Sequence, residues 1–258
     1  MISQRDLIDY IESFAPAALA AEFDNVGLLL GHTDKEINRA LLCLDADLNV
    51  VKEAVRIGAD IVISHHPVIF DSLKRLCDDT PQGEALLLAA KNGISLYAAH
   101  TNFDEAKGGM NDSLSSMLGM EVVSPLCEAG GRLCAVKPAV TLGELCQRVS
   151  HVLGVRSVYT THDLHKSIHT AALCTGGGAS LSQAAIDSGA DVYISGDLKH
   201  AQILGMSLSN TAYIEIRHYD SEIIFTKLFS QRLAARFGGG LDIRISQCGE
   251  NPLREVRE

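Results

Sequence analysis

The sequence predicts an α/β protein made of two related three-layer α/β domains, an internal duplication. Three observations predict this: short apolar strands alternate with helices of about ten residues, the pattern recurs later in the chain, and histidines and carboxylates follow the expected strand ends. The length of 258 residues suits one large domain or two small ones. Hydrophobic residues make up 47% and charged residues 21%, which excludes intrinsic disorder.

The first third of the chain begins with a helix, predicted over residues 3–14 because its apolar side chains form one stripe and Pro16 follows. A turn over residues 24–28 leads into a short apolar strand at 28–30. A second strand is predicted over residues 39–44.

The next elements repeat the alternation. A helix over residues 49–57 is closed by Gly58, and the apolar strand 61–63 runs into polar residues. A helix over residues 82–91 and a strand over 94–99 follow. Such an order is typical of parallel α/β construction.

An internal repeat organises the whole chain. Residues 58–64 and 189–195 share five of seven residues at an offset of 131, and the same offset pairs Cys43 with Cys174. At an offset near 118, the segment HTNFD aligns with HYDSE. Gly-Ala-Asp is also a common helix exit, but several matches in one order favour two related units.

The domain boundaries follow from this repeat. We expect a first α/β domain over residues 1–127, completed by 223–258, and a second over 128–222. Residues 124–137, with their proline and glycines, are the expected crossing between the two copies.

Charge and composition exclude several classes. Lys and Arg number 22 against 32 Asp and Glu, so the net charge of −10 argues against nucleic acid as a partner. No apolar run is long enough to span a membrane, and the N-terminal residues lack the pattern of a signal peptide. Seven cysteines without a C-x-x-C pair fit a reduced compartment, so we expect a cytoplasmic protein.

Candidate metal ligands follow the expected strand ends. His65 and His66 come directly after the strand at 61–63, and Asp104 lies four residues after His100, one helical turn along. Taken alone, His65 and His66 are also compatible with a surface pair of histidines, and His100 is compatible with a structural core histidine.

A third segment adds His218 and Glu222 at the same four-residue spacing, which alone would fit a solvated helix face. Together the segments offer a mixed nitrogen and oxygen donor set of the kind that two divalent ions use for hydrolysis. Cysteine is missing from these segments, which argues against a thiolate zinc site.

The segments SHHP, YAAHTNFD and HYDSE, with the earlier EFDNVGLLLG, resemble the Nif-three-like dinuclear metal-centre family over nearly the whole chain. Its members are often named type 2 homologues of GTP cyclohydrolase I. The resemblance implies two divalent ions per chain in a metal site between the two domains, a ring-shaped homohexamer, and a nucleotide or other small-molecule substrate. It also implies metal ligands at His65, His66, Asp104, His218 and Glu222.

Within that set we expect Asp104 to bridge the ions, because a carboxylate has two oxygens. His100 then becomes a catalytic residue that supports the ligands or shuttles a proton. The resemblance makes Asp24 and Asn25 a turn at the cavity mouth and places Asp197 and His200 along the site.

Two positions depart from the family pattern. Phe23 stands where similar proteins have Trp, and Arg217 stands where Gly is usual. Arg217 either pairs with a substrate anion or is an ordinary surface charge. Thr175–Gly178 is interpreted as a tight turn or a phosphate cradle, and the histidines of 161–169 as a solvated stretch.

Two functions remain open from sequence. The first is a hydrolase in which a hydroxide bridging two metal ions attacks the substrate, with the imidazole ring of GTP as the target that the resemblance implies. The second is a non-enzymatic oligomeric metal-binding scaffold or regulator acting through protein partners. The donor set suits Zn, Fe, Mn, Co, Ni or Mg and does not choose among them.

Overall fold

The computed structural model describes residues 1–254, which divide into two compact α/β units. The first unit is Met1–Ala106 with the described residues from Ile223 onward, and the second is Lys107–Glu222. The strands are β1 (Ile2–Ser3), β2 (Gly27–Leu30), β3 (Glu36–Ile37), β4 (Arg39–Asp45), β5 (Ile61–His66), β6 (Ser95–Ala98), β7 (Glu121–Cys127), β8 (Gly130–Thr141), β9 (Tyr159–Thr160), β10 (Ser167–Gly177), β11 (Val192–Gly196), β12 (Ala212–Glu215) and β13 (Asp242–Ile245).

Ten α-helices accompany these strands within the described residues. They are α1 (Gln4–Phe14), α2 (Leu48–Ile57), α3 (Pro81–Lys91), α4 (Thr101–Glu105), α5 (Met110–Met117), α6 (Leu142–Leu153), α7 (Ser182–Asp187), α8 (His200–Leu208), α9 (His218–Glu222) and α10 (Ile224–Phe237). The prediction of an α/β fold is therefore confirmed. In the part of the chain that the structure describes, no helix has both the length and the apolar character needed to cross a bilayer.

The first unit is built on a five-stranded sheet in the order β13-β4-β5-β6-β2. Strands β13, β4, β5 and β6 run parallel, and β2 closes the edge antiparallel to β6. Its central strands are apolar on both faces, as strands covered by helices must be. The Asp47 carboxylate caps α2, and Gly58 ends that helix at a φ of +66°, a conformation that glycine adopts without strain.

A cluster of aromatic rings joins three helices of this unit. Phe14 of α1, Phe103 of α4 and Phe225 and Phe229 of α10 lie with neighbouring ring centroids 4.5–6.1 Å apart. Phe103, Phe225 and Phe229 are fully buried. Each such ring contributes a large apolar surface, so the cluster anchors the short helix α4 beside the end of β5.

The second unit has a six-stranded sheet in the order β7-β8-β10-β11-β12-β9. Strands β10, β11 and β12 are parallel, while β7 and β8 form an antiparallel hairpin. The expectation that residues 124–137 cross between the copies is wrong. Antiparallel pairing joins β7 to β8 and β8 to β10, so the segment belongs to the second sheet. Accordingly, the units divide after Ala106, whereas the sequence suggested residue 127.

The repeat appears in matching backbone contacts within each unit. In the first, the Asp60 carboxylate accepts hydrogen bonds from the amides of Asn38 and Arg39, at 2.6 and 2.9 Å. In the second, the Asp191 carboxylate accepts from the amides of His169 and Thr170, at 2.8 and 2.9 Å. All three positions differ by 131, so the repeated Gly-Ala-Asp does the same structural task twice.

Candidate metal centre

His65 lies in the core of the first unit, at the carboxyl end of β5. Its Nδ1–H donates to the carbonyl oxygen of Ala99 at 2.8 Å. In the neutral ring this leaves the lone pair on Nε2, which lies 3.5 Å from Oδ1 of Asp104. The Phe225 ring packs beside the imidazole with centroids 5.2 Å apart. The His65 ring is therefore positioned by both the Ala99 hydrogen bond and the Phe225 contact.

His66 is the last residue of the same strand, which continues through both histidines and does not stop at residue 63 as predicted. Its Nδ1–H donates to Oδ1 of Asp45 at 2.8 Å, and Asp45 is its cross-strand partner on β4. Neighbouring side chains on a strand normally point to opposite faces. Here the strand ends at His66, before Pro67, and the His65 and His66 ring centroids are 5.1 Å apart.

His100 is the third ring of the group, immediately before α4. Its Nδ1–H donates to Oδ1 of Asp24 at 2.8 Å. Burial tends to raise the pKa of the Asp24 carboxyl, but hydrogen bonds from His100, Thr101 and the Asn25 amide outweigh it and hold the pKa at about 2. Asp24 is therefore ionised at neutral pH and keeps the proton of His100 on Nδ1.

His65, His66 and His100 each offer one ring nitrogen as a potential metal ligand. These three nitrogens lie within 4.8 Å of one another. We call these three residues and Asp104 the histidine cluster. Asp104 sits on α4 one helical turn after His100, and its amide bonds the His100 carbonyl at 3.0 Å. His100, expected to act beside the ligands, is thus as close to the ligand group as His65 and His66 are.

The second unit contains the other predicted pair. His218 and Glu222 lie on one face of α9, with His218 Nε2 3.0 Å from Oε2 of Glu222. On the opposite side of the ring, Nδ1–H donates to Oδ2 of Asp197 at 2.7 Å. Glu222 is almost fully buried, so its carboxylate is confined to a narrow range of positions.

Gly176 and Gly177, at the end of β10, lie against this pair. A side chain at Gly176 would overlap the carboxylate of Glu222, 2.8 Å from its Cδ and 3.2 Å from Nε2 of His218. Gly176 also has a φ of +64°, and its amide donates to the Ser221 hydroxyl at 2.9 Å. The glycine run therefore allows close approach of backbone to these carboxylate and imidazole groups.

The remaining sequence candidates have simpler surroundings. The Arg217 guanidinium, just before α9, pairs with the Asp220 carboxylate on that helix. His200 begins α8 and is exposed. In the segment 161–169, which was predicted to be solvated, the His162 side chain is fixed by a hydrogen bond from its Nε2 to the carbonyl oxygen of Ser209 at 3.0 Å.

Asp45 is a residue of the candidate site that sequence reasoning missed. The sequence could have indicated this residue, because Asp45 ends β4 and the carboxyl ends of neighbouring parallel strands meet at one edge of the sheet. Asp24 was expected as a turn residue, and the structure adds its bond to His100. Asp197 was expected along the site, and it bonds His218.

The four histidines share one arrangement. In each, Nδ1 is bonded to an oxygen acceptor, at Ala99, Asp45, Asp24 or Asp197. This is how proteins orient imidazoles whose Nε2 binds a metal ion, because the acceptor selects the tautomer and raises the basicity of the second ring nitrogen. Within each unit, imidazole nitrogen stands beside a carboxylate oxygen, of Asp104 in the first unit and of Glu222 in the second, and such donors suit a borderline divalent cation.

Comparisons with known proteins find relatives over nearly the whole chain. A family profile described as Duf34/NIF3 (NGG1p interacting factor 3) matches residues 2–252. A protein of Clostridium acetobutylicum named GTP cyclohydrolase 1 type 2 homolog is 31% identical over 97% of this chain and 97% of its own length. A relative of the same name in Clostridium perfringens is 33% identical over 97% of this chain and 98% of its own length. A solved Bacillus cereus protein related to NIF3 has the same fold, with a TM-score of 0.86 at 23% identity over 99% of this chain and 100% of that one.

Proposed function

Since this chain belongs to the Duf34/NIF3 family, we propose that it is a hydrolase that depends on two divalent metal ions. Five residues would hold the ions, namely His65, His66, Asp104, His218 and Glu222. The observation that carries the proposal is the shared arrangement of the four histidines, each with Nδ1 bonded to an oxygen. A histidine that serves only packing has no need of this orientation in four separate places.

Bound divalent ions supply Lewis acidity, which polarises the group under attack and lowers the pKa of water. The chain's own residues prepare the site for that role. Asp104 has two carboxylate oxygens and lies beside His65, which suits it to bridge. Glu222 is held in place by burial, and its Oε2 lies 3.0 Å from Nε2 of His218.

His100 has a second task in this proposal. Ionised Asp24 keeps the proton on Nδ1, so the Nε2 lone pair is available to take up a proton and return it to the leaving group.

The proposed substrate is a nucleotide, with opening of the guanine imidazole ring of GTP as the candidate reaction. The names of the curated relatives support this choice. Hydrolysis of that ring releases formate, which gives the reaction a specific readout.

The test uses the purified full chain loaded in turn with Zn²⁺, Mn²⁺, Fe²⁺ and Mg²⁺ and incubated with GTP. We expect formate release with at least one metal, and loss of turnover by more than about a hundredfold in Asp104→Ala. Asp78→Ala, at an exposed position, is the matched control and should retain full activity.

The scaffold alternative makes the opposite prediction. No turnover of GTP or of a panel of nucleotides and phosphoesters, together with unfolding when the metal is removed, would contradict the hydrolase and support a structural metal centre. A metal analysis of the native protein belongs to the same experiment: about two ions per chain fit the proposal.

A further inference from the structure

Two large apolar rings are exposed at the edge of the histidine cluster. The Phe23 side chain is 70% exposed and that of Phe70 is 44% exposed. Their ring centroids are 6.3 Å apart, with the planes inclined at 54°. Single exposed apolar residues are ordinary on protein surfaces, but a pair of neighbouring rings is a common mark of a binding surface.

The pair is attached to the cluster by specific contacts. The Phe70 ring lies edge-on to the His100 ring, with centroids 6.3 Å apart and planes at 79°. The residue after Phe23 is Asp24, which accepts the bond from His100. The Asn25 side chain donates to the carbonyl of Ile69, next to Phe70, at 2.6 Å.

These contacts hold both loops, so the rings stay in place although they are exposed. Burying them elsewhere would require breaking the Asn25–Ile69 and Asp24–His100 hydrogen bonds. Rings that are positioned beforehand lose little conformational freedom when a ligand binds, which favours a role in recognition.

The angle between the rings selects the shape of the ligand. Two parallel rings would sandwich a flat group, but rings inclined at 54° form a corner. A planar ring can stack on one face and present its edge to the other, which are the two geometries that aromatic pairs prefer. Every nucleobase has such a flat face, and stacking on aromatic side chains binds bases in many proteins.

We propose that Phe23 and Phe70 form a stacking subsite that holds the planar heteroaromatic base of the substrate next to His100. The inference rests on the proposed function, because it names the part of a nucleotide that these rings recognise. It assigns base recognition to the Phe23–Phe70 corner and leaves the reacting group to the histidine cluster.

A subunit contact is the competing explanation for exposed rings. Specific protein interfaces bury roughly 800 Å² per partner, whereas one aromatic side chain contributes about 150–250 Å². Two rings alone are therefore too small for an interface and large enough for one base. The experiment below includes this alternative as an outcome.

The chain contains no tryptophan, so Phe23→Trp introduces a single indole at the subsite. We expect saturable quenching of its emission when GTP is added to the Zn²⁺-loaded full chain, because a stacked guanine quenches indole. Inorganic tripolyphosphate, which has no base, should leave the emission unchanged. Tyr159→Trp, at a site 75% exposed in the second unit, is the matched control and should show no saturable quenching.

A second variant measures the contribution of the other ring. Phe70→Ala in the Phe23→Trp background should weaken GTP binding about tenfold, within the range measured for single base-stacking contacts. Phe70→Tyr keeps a ring at this position and should restore most of the affinity.

The outcomes separate this inference from the proposed hydrolase. Quenching without formate release would support the subsite and contradict the reaction. Formate release from GTP without quenching, and with KM unchanged in Phe70→Ala, would overturn the subsite and leave the reaction standing. Absence of both, or a changed oligomeric mass with unchanged GTP affinity, would also overturn the subsite, the latter in favour of a contact between copies.

Discussion

Individual residues control the geometry of the candidate site through close contacts. Gly176 is the sharpest case, because it combines a left-handed backbone with a position directly against Glu222. Gly189 has nearly the same φ, +71°, but a side chain there would meet nothing within 4 Å. A substitution at Gly189 therefore causes backbone strain alone, whereas the same substitution at Gly176 causes strain and also displaces the candidate ligand Glu222.

We expect Gly176→Ala to abolish divalent metal binding at the His218 and Glu222 donors, because the new methyl group must push the Glu222 carboxylate aside. Gly189→Ala should cost about 1 kcal/mol of stability from strain alone and leave metal binding intact. Isothermal titration with Zn²⁺ measures the difference. Equal metal affinity in the two variants would contradict the assigned role of Gly176.

The carboxylates that hold the histidines give a second test at this scale. Asp45→Ala removes the acceptor of His66 Nδ1, so the ring is free to change tautomer and rotate. Loss of such a supporting contact lowers metal affinity about 10- to 100-fold. Asp45→Asn keeps an oxygen acceptor and should retain most of the affinity. Titration of both variants checks this, and an unchanged affinity in Asp45→Ala would show that the contact is incidental.

At the scale of elements, the equivalent contacts of Asp60 and Asp191 in the two units predict similar losses of stability when either is removed. Asp60 and Asp191 each satisfy two backbone amides at the start of the preceding strand. We expect Asp60→Ala and Asp191→Ala each to destabilise the chain by about 1–3 kcal/mol, because two backbone amides, one of them partly buried, lose a charged acceptor. Urea unfolding at neutral pH measures the loss, and Asp78→Ala serves as the exposed control.

The Asp191 contribution also has a defined pH dependence. Burial opposes ionisation of this carboxyl, but bonds from the amides of His169 and Thr170 and the Thr170 hydroxyl prevail and hold its pKa below the ordinary value. Such a group stabilises the fold fully above the unfolded pKa of about 3.9 and loses this effect as the pH falls through the lower folded pKa. The destabilisation in Asp191→Ala should therefore shrink in that acid range, and a constant difference across it would contradict the assignment.

At the scale of the whole molecule, we expect metal binding to raise the stability of the fold. A ligand that binds only the folded state stabilises it by about 2.7 kcal/mol at a hundredfold excess over Kd. For a chain of this size we expect the Tm to rise by roughly 5–10 °C with Zn²⁺ and to fall back with a chelator. Differential scanning calorimetry checks this, and Asp104→Ala should lose most of the shift.

The expected homohexamer is a separate prediction for the assembled protein. Its mass in solution should be six times 27.7 kDa. Sedimentation equilibrium measures this directly, and a monomeric mass at micromolar concentration would contradict the hexamer.

Much of the fold could be predicted from the sequence because its signals are local. Apolar runs such as 61–63 and helix ends such as Gly58 depend on neighbours only, and they appear where expected. The hairpin at 121–141 was missed, since its Pro and Gly residues suggested a linker and only pairing with β10 shows it to be part of a sheet. Strand pairing joins residues distant along the chain, which local patterns do not encode.

The same division applies to the candidate site. The sequence by itself determined the donor types and their spacing, because one helical turn relates His100 to Asp104 and His218 to Glu222. Only the tertiary structure decided which oxygen holds each ring and that Gly176 lies against Glu222. The physical reason is that hydrogen bonds and close packing act over a few ångströms, between groups that only the folded backbone brings together.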